Sequence, residues 1–373
     1  MKKIYSNIIQ FVEKLPLMLH LLKTAIAENV AIINKRKLYK NVIWTKEQQN
    51  DFDNFWKKYY GRKISNRWHR LYQSINGVYD VKYFPEILFT TKFEPLLNPY
   101  NIGKVLQDKS FVELLFGGTN DVIFPKTYII CCSGIFYDSN RIVITEELAI
   151  NSLVNIGDAV IKITIGSSSG KGVEMVSFGN NSIRTKEQIQ KLFQRFGRNF
   201  IIQERIKQHK LISQIYDKSI NTFRVMTYIL DGKVCHFPVS IRIGGNGSVV
   251  DNIHAGGMAV GVSDEGTLAK YAYRLGYGDS NERYEKHPNT GIAFEGIKIP
   301  FIPKIIDNSY QLHGRVPHIG TISWDFAVNN ADKTVLLEVN LLNQGSWLPQ
   351  IIGGKGLFGD NTEKVLNKIA KLR

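Results

Sequence analysis

Residues 324–340 read "WDFAVNNADKTVLLEVN", and this stretch decides the fold class of the chain. Two apolar runs flank a polar segment at residues 329–333, which predicts an antiparallel hairpin that turns there. In the register that we predict, Asp325 lies opposite Glu338. A carboxylate inside a buried strand is costly unless it is paired, hydrogen-bonded or bound to a metal ion.

The same register sorts the other hairpin residues onto two faces, because side chains alternate along a strand. The face with the acids pairs Ser323 with Asn340 and Ala327 with Leu336, and the apolar face pairs Trp324 with Val339, Phe326 with Leu337 and Val328 with Val335. The turn contains no glycine. The register, and with it the facing of Asp325 and Glu338, could therefore slip, although the residues themselves stay candidates.

The opposed acids have two interpretations. Facing residues have Cβ atoms roughly 4.5–5.5 Å apart, so Asp325 and Glu338 should repel each other unless a cation lies between them. Mg²⁺ would suit this position, because it prefers oxygen ligands and bridges carboxylates to phosphates. Alternatively, Asp325 forms an ion pair with a lysine or arginine from elsewhere in the chain.

The basic charge of the chain is concentrated at its N-terminus. The net charge is +15 over 373 residues, and residues 1–70 contribute +10 of it, from 15 Lys/Arg and 5 Asp/Glu. Such a segment could contact an anionic membrane, nucleic acid or an acidic glycan, or could simply be a solvated basic face.

We expect no transmembrane helix and no signal peptide in this region. The longest apolar run, Leu15 to Leu22, is interrupted by Pro16 and bounded by Lys14 and Lys23. It is far shorter than the ~20 residues that span a bilayer. A cleavage site near residues 25–27 would follow too short an apolar core.

The three cysteines have no metal-ligand spacing and predict reduced thiols; they are Cys131, Cys132 and Cys235. Reduced thiols indicate a cytoplasmic protein, with its basic segment available for peripheral contact with the inner face of the membrane.

Hydrophobic periodicity predicts an α+β protein with three parts. Residues 1–80 form a basic helical region, residues 81–155 a linking α/β part, and residues 156–373 the nucleotide-binding and catalytic part, in which glycine-punctuated strands dominate.

Residues 159–178 read "AVIKITIGSSSGKGVEMVSF" and predict two strands joined by a flexible glycine-rich lid. The spacing is not that of a Walker A loop, and a strand follows where that motif needs a helix. Glycines would let backbone N–H groups approach phosphate oxygens, while Lys162 would add a charge from the first strand. An ordinary turn is the alternative interpretation of the loop.

Further along, "IIQERI" ends a strand in a polar hinge at residues 203–206, where a purine could find backbone partners. Arg224 lies within "NTFRV", and Arg242 and Asn252 lie within "IRIGGNGSVVDN". Near an anion these arginines would clamp a phosphate, and otherwise they are salt-bridged strand residues.

These motifs, in this order and together with Lys109 in "LQDKSF", resemble the sugar-transfer-associated branch of the ATP-grasp superfamily over roughly residues 95–373. The resemblance implies an ATP-grasp fold, in which two α+β subdomains enclose the nucleotide, preceded here by the basic helical region. It also favours the metal interpretation of Asp325 and Glu338.

The resemblance implies roles for individual residues. The nucleotide would be bound by Lys109, Lys162, Ser168, Ser169, Gly170, Gly172, Gln203, Glu204, Ile206, His209 and Asn221; the catalytic residues would be Arg224, Arg242 and Asn252; and two Mg²⁺ ions would be held by Asp325, Glu338 and Asn340. Of these, His209 is as readily interpreted as a surface histidine.

The implied reaction is an ATP- and Mg²⁺-dependent, amide-forming ligation of a carboxylate and an amine through an acyl phosphate, with release of ADP. The branch of the superfamily suggests a surface polysaccharide, such as a capsule, or its sugar precursor as the substrate, with an amino acid as one candidate for the other. A small-molecule or sugar kinase would use the same nucleotide site. A nucleic-acid-binding module is disfavoured, since the basic runs lack interleaved aromatic residues.

Overall fold

The computed structural model describes residues 2–118, 121–166, 172–179, 182–252, 256–275 and 281–371. The helices are α1 (Lys2–Asn34), α2 (Arg36–Lys40), α3 (Lys46–Tyr60), α4 (Arg67–Asn76), α5 (Glu86–Leu88), α6 (Glu94–Leu97), α7 (Tyr100–Leu106), α8 (Val112–Phe116), α9 (Glu146–Leu153), α10 (Ile183–Phe196), α11 (Lys210–Ile215), α12 (Ile302–His313), α13 (Trp347–Gly353) and α14 (Thr362–Ala370). A π-helical turn at Phe89–Phe93 joins α5 to α6, and 3₁₀ turns lie at Lys109–Phe111 and Gly359–Asn361.

The strands are β1 (Val122–Ile123), β2 (Thr127–Cys132), β3 (Ile135–Tyr137), β4 (Val143–Ile144), β5 (Gly157–Ile163), β6 (Val173–Phe178), β7 (Phe200–Glu204), β8 (Thr222–Leu230), β9 (Lys233–His236), β10 (Val239–Ile243), β11 (Met258–Val262), β12 (Leu268–Leu275), β13 (Asn281–Tyr284), β14 (Thr321–Val328) and β15 (Thr334–Asn340). Over the described residues they form two sheets. The nine-stranded sheet has the order β1-β15-β14-β8-β10-β11-β12-β13, with β9 paired to β8, and the six-stranded sheet has the order β4-β3-β2-β7-β5-β6.

The two sheets with their helices confirm the predicted α+β class and the ATP-grasp fold. The domain boundaries stay predictions, since the six-stranded sheet begins at Thr127 and includes strands on both sides of position 155.

Each sheet carries its own apolar core. On the six-stranded sheet, Ile189 and Leu192 of α10 pack with Ile161 and Phe200. This helix begins where the Ser182 hydroxyl accepts a hydrogen bond from the Thr185 backbone N–H, at 3.1 Å. Because α9 and α10 cover one face, the other face of this sheet is left for the cleft described below.

The nine-stranded sheet is covered on one face by α12, whose apolar side chains pack with Phe223, Ile241 and Trp324. A second core joins this sheet to the N-terminal helices: Trp56 of α3 packs with Tyr228 of β8 and with helix α14. The basic helical region is therefore built into the fold of this sheet.

Helix α1 differs from the sequence-based expectation. It continues through Pro16 and spans 33 residues. Its 24-residue segment Phe11–Asn34, with a mean hydropathy of 1.3, is long and apolar enough to cross a membrane by length and composition alone. The sequence-based estimate was too short because it counted only the uncharged run between Lys14 and Lys23, whereas the apolar segment of the helix continues past Lys23.

The β14–β15 hairpin confirms the predicted register where the acids lie. Asp325 is the partner of Glu338, and Ser323 is the partner of Asn340. A β-bulge follows Asp325, so that the prediction is wrong closer to the turn.

There the observed pairs are Phe326 with Leu336, Ala327 with Val335 and Val328 with Thr334. The cause is the loop closure: Asn329 Oδ1 accepts hydrogen bonds from the N–H groups of Ala331 and Lys333, which fixes a five-residue turn, and the bulge absorbs the extra residue.

Candidate functional site

A cleft of about 390 Å³ lies between the two sheets and collects most of the predicted site residues. Those that line it are Lys109, Lys162, Glu204, Ile206, Arg224, Arg242, Asn252, Asp325, Glu338 and Asn340. They come from β5, β7, β8, β10, β14, β15 and the connecting segments. The chain therefore brings together residues that are more than 200 positions apart.

Three predicted lid residues, Ser168, Ser169 and Gly170, lie outside the described residues. Four others are described but do not line the cleft: Gly172, Gln203, His209 and Asn221. The roles of all seven residues stay predictions.

Local contacts account for two of the residues outside the cleft. Gln203 is buried, and its amide nitrogen donates to Thr127 Oγ1 at 3.2 Å. His209 caps α11, because its Nδ1 accepts from the Leu211 N–H at 3.2 Å, and its Nε2 lies 3.0 Å from a carboxylate oxygen of Asp332. This histidine thus ties α11 to the turn of the β14–β15 hairpin.

The other two residues have structural roles, Asn221 through its side-chain hydrogen bonds and Gly172 through its backbone conformation. The Asn221 carboxamide is buried, accepts from the Gly244 N–H at 3.1 Å and donates to the Tyr216 carbonyl at 2.7 Å. Gly172 has φ +74°, and a Cβ there would come within 2.6 Å of the Ile163 side chain.

Asp325 lies at the centre of the charged wall of the cleft. Arg224, directly opposite on β8, donates to both of its carboxylate oxygens at 2.8 and 2.7 Å, and Arg242 Nη2 lies 3.0 Å from Oδ2. Burial would raise the pKa of Asp325, but the charges of the two arginines outweigh burial and hold it below its ordinary value. The ion-pair interpretation left open by the sequence therefore holds for Asp325.

Asp251 extends this network and was missed by the sequence analysis. Its Oδ2 accepts from the Thr222 N–H at 3.1 Å and lies 3.6 Å from Arg242 Nε, while Arg242 Nη2 also donates to Thr222 Oγ1 at 2.7 Å. Burial raises the pKa of Asp251, and Arg242 opposes that rise. Its position beside Asn252 in the quoted motif was the available signal.

Glu338 faces two lysines. Lys109 Nζ lies 3.5 Å from Glu338 Oε1 and donates to the Ile163 carbonyl at 3.4 Å. Lys162 is half-buried, and desolvation lowers its pKa to about 8, partly opposed by the charge of Glu338. The Glu338 side chain stays 35% exposed while Asp325 is buried, so Glu338 is the more accessible of the two opposed carboxylates.

The donor set fits a hard divalent cation. Asp325, Glu338 and Asn340 supply only carboxylate and amide groups, and Asp325 Oδ1 accepts one described hydrogen bond, which leaves it lone-pair capacity. Two buried polar atoms nearby, Ser323 Oγ and Asn340 Nδ2, make no hydrogen bond. Within the described ranges, no cluster of three His, Cys, Asp or Glu side chains offers a metal site.

An apolar slot adjoins the hinge. It is lined by Val160 and Met175 of the six-stranded sheet, by Ile206 of the hinge and by Leu337 of β15. The hinge itself is fixed, since Glu204 Oε1 accepts from the Lys126 N–H at 3.0 Å and the Glu204 N–H donates to the Lys126 carbonyl at 2.9 Å. Period-two alternation along β5 places Val160 on the face of Lys162, and this was the signal for the slot.

At the opposite end, the cleft is bounded by the segment that follows β15, through Asn343, Gly345 and Trp347. Two buried carboxylates from the N-terminal half hold this segment, which we call the 341–347 segment. Glu94 accepts from the N–H groups of Asn343 and Gln344, at 3.0 and 2.9 Å.

Glu86 binds the same segment further along. It accepts from the Ser346 N–H at 3.0 Å and from the Ser346 hydroxyl at 2.6 Å. Glu86 and Glu94 are eight positions apart, and the π-helical turn between α5 and α6 contains one residue more than an α-helical turn. The eight positions therefore make about two full turns, and the two glutamates lie on the same side of the helical segment. Neither glutamate was predicted, because their partners lie 249 to 260 positions away.

Two sheets that close on a cleft with lysines on one side and carboxylates on the other define the ATP-grasp class. The chain belongs to the sugar-transfer associated ATP-grasp family, whose sequence pattern matches residues 88–367. A search of curated proteins found no match.

Solved structures of ATP-grasp proteins are similar to this chain at low identity. VanG D-Ala:D-Ser ligase from Enterococcus faecalis is 14% identical, with 71% of this chain and 61% of that chain covered and a TM-score of 0.42. Biotin carboxylase from Campylobacter jejuni is 12% identical, with 72% of this chain and 47% of that chain covered and a TM-score of 0.42. The N5-carboxyaminoimidazole synthetase from Staphylococcus aureus, complexed with ADP, is 11% identical, with 64% of this chain and 45% of that chain covered and a TM-score of 0.37. The chain spans less than two thirds of the length of each.

Proposed function

We propose that this protein is an ATP- and Mg²⁺-dependent ligase that joins a carboxylate to an amine and releases ADP and phosphate. One observation carries the proposal: Asp325 and Glu338 are opposed on one wall of the cleft, while Lys109 and Lys162 approach Glu338 from the other side. Such a site can neutralise a triphosphate and still hold a divalent ion against it.

The cleft has a place for each part of the nucleotide. The adenine would occupy the apolar slot, with the hinge at Glu204 and Ile206 supplying backbone partners. The phosphates would meet Lys109 and Lys162. Magnesium, two ions by the family resemblance, would be held by Asp325, Glu338 and Asn340, and would neutralise phosphate charge when bound.

The protein's own residues would act mainly by positioning. The substrate carboxylate would attack the γ-phosphorus, and the bond to the bridging oxygen would break as ADP leaves. The amine would then attack the acyl carbon, phosphate would leave, and the amine would lose a proton. Arg242 would stabilise the negative charge that develops, and Asn252, which also lines the cleft, would help to orient the reacting groups.

The substrate class rests on the family description. We propose a surface polysaccharide or its sugar precursor, with an amino acid as one candidate co-substrate, and a cytoplasmic location. Contact of the basic helical region with an anionic membrane or a lipid-linked glycan belongs to this proposal but does not affect the chemistry of the cleft.

Product analysis tests the proposal. Mass spectrometry of reactions with ATP, amino acids and uronic-acid sugars should find an amide product with free phosphate. A phosphorylated acceptor without an amide would replace the ligase with a kinase.

The variant Glu338→Gln should lower turnover about 100-fold, as expected when a charge-stabilising group is lost. The matched variant Glu187→Gln, on the exposed surface of α10, should leave turnover unchanged. Equal turnover in the two variants would contradict the role of Glu338.

A further inference from the structure

Helix α1 presents a continuous apolar face to solvent. We call it the exposed face of α1, and it consists of Phe11, Val12, Leu15, Met18, Leu19, Leu22, Ile26, Val30 and Ile33, whose exposed fractions run from 37% to 58%. Spacings of three and four residues place these side chains along one side of the helix. An apolar surface of this length on a folded protein marks an interaction site.

The opposite side of α1 is docked on the protein. Ile32 is buried, and the ring of His20 lies 4.5 Å from the ring of Tyr100. Glu28 also lies on this side, where it is half-buried. The helix thus has an inner side fixed by packing and an outer side that is free for a partner.

A second feature adjoins the exposed face. A concavity of about 690 Å³, which we call the basic concavity, is lined by Ile33, Arg36, Tyr39, Lys40, Gln49, Ile64, Ser65, Asn66, Arg67 and Arg70. Four of these residues are cations and none is acidic. Because Ile33 belongs to both, the apolar face continues directly into the concavity.

The cations of the concavity are available for an external anion. Arg70 is fixed by its own chain, since its Nε donates to the Val42 carbonyl at 2.8 Å and its Nη2 to the Lys40 carbonyl at 3.4 Å. In the part of the chain that the structure describes, Arg36, Lys40 and Arg67 have no acidic partner within ion-pair distance. A cluster of unneutralised cations is electrostatically unfavourable until an anion binds.

We propose that the exposed face of α1 and the basic concavity together bind an anionic membrane surface. The apolar side chains would enter the boundary between headgroups and acyl chains, and the concavity would hold a lipid phosphate. Charge complementarity selects this partner, because residues 1–70 carry a net +10. Since the inner side of α1 packs on the fold, the helix lies along the membrane and does not cross it.

This inference extends the membrane element of the proposed function, but its test is independent of ATP turnover. The full-length protein is mixed with vesicles of phosphatidylcholine alone or with added phosphatidylglycerol, and binding is measured by flotation. Binding is expected only with the anionic vesicles. Equal binding to both, or to neither, overturns the proposal.

The concavity is tested by charge. The double variant Arg36→Gln/Lys40→Gln should bind anionic vesicles on the order of 10-fold more weakly. The matched control Arg184→Gln/Lys191→Gln removes two exposed charges from α10, far along the chain. An equal loss in the control would mean nonspecific attraction by net charge and would overturn the assigned site.

The apolar face is tested in the same way. Leu19→Gln/Ile26→Gln should abolish binding, while Ile142→Gln/Val143→Gln, which changes two similarly exposed side chains at the start of β4, should not.

Two outcomes would assign α1 a different partner and overturn the proposal. One is a stable dimer that Leu19→Gln/Ile26→Gln dissociates. The other is vesicle-bound protein that resists extraction by alkaline carbonate, which would indicate a spanning helix. Circular dichroism checks that each variant is folded.

Discussion

Asp325 in the wall of the cleft and the two glutamates behind the 341–347 segment, Glu86 and Glu94, are all buried carboxyl groups, and their surroundings differ. Asp325 is 2% exposed and is bound by two guanidinium groups. Glu86 and Glu94 are 4% and 2% exposed, and their described hydrogen-bond donors are N–H groups and one hydroxyl. All three are removed from water to the same extent, so the partners decide the charge.

The pKa values follow from this difference. The arginines keep the pKa of Asp325 below its ordinary value. Burial raises the pKa of Glu86 to about 8, with a contribution from the charge of Glu28, and burial raises that of Glu94 to about 7. Asp325 therefore stays ionised across the neutral range, whereas the 341–347 segment is held by carboxyl groups that are protonated over part of that range.

The largest expected effect on stability comes from removing the carboxylate of Asp325, which is paired with two arginines. Asp325→Ala would leave two partly buried guanidinium groups without their shared, buried carboxylate, and we expect a loss of about 3 kcal/mol in the free energy of unfolding. Urea denaturation measures this loss. The control Glu338→Ala, at a partly exposed site, should cost less than about 1 kcal/mol. Equal losses would mean that the arginines do not depend on Asp325.

The opposed positions of Asp325 and Glu338 could be predicted from the sequence, because strand alternation and a short connection fix which residues face each other. The bulge after Asp325 could not, because it depends on how the Asn329 side chain closes the turn. The guanidinium partners were also hidden, since β8 is adjacent to β14 only in the folded sheet. Local periodicity therefore predicted which two acids face each other, and the long-range pairing that sets the charge of this candidate site required the structure.

Glu86 shows the same limit more strongly. In the sequence it is a glutamate in the first turn of a short helix after Pro85, which ordinarily predicts an exposed residue that favours a helix start. Its burial follows from a contact with Ser346, 260 positions away. No pattern within either segment indicates the other.

A half-buried cation in the cleft, Lys162, gives an effect of intermediate size. The pKa of Lys162 is lowered to about 8, so its charge is present below that pH and is lost above it. The second-order rate constant with ATP should therefore fall by up to tenfold per pH unit above about pH 8. Steady-state kinetics from pH 7 to 10 measures this, and Lys162→Arg should remove the decline. A flat profile for the unmodified protein would show that Lys162 does not contact phosphate.

The glutamates of the 341–347 segment should give a pH dependence of stability opposite to that of Asp325. Their folded pKa values exceed the unfolded value of 4.5, so the folded state binds more protons between pH 4.5 and about 8, and stability falls as pH rises through this range. For Asp325, stability is instead lost as pH falls below its unfolded value of 3.8.

In the double variant Glu86→Gln/Glu94→Gln, the decline of the free energy of unfolding between pH 5 and 8 should be shallower by roughly 1 kcal/mol per pH unit for each glutamate that is protonated in the folded state. Urea midpoints at several pH values measure it. If the slope stays that of the unmodified protein, the two carboxylates are ionised throughout.

The smallest expected effect concerns the unpaired atoms beside the acids. Ser323 Oγ and Asn340 Nδ2 are buried without a hydrogen bond, and their residues are partners across the hairpin. Ser323→Ala removes one unsatisfied hydroxyl, so the free energy of unfolding should change by less than about 1 kcal/mol and should rise if it changes. If these atoms serve a ligand, the same substitution should weaken nucleotide binding measured by calorimetry. A destabilised variant with unchanged nucleotide affinity would mean that Ser323 has a structural partner and no role in the cleft.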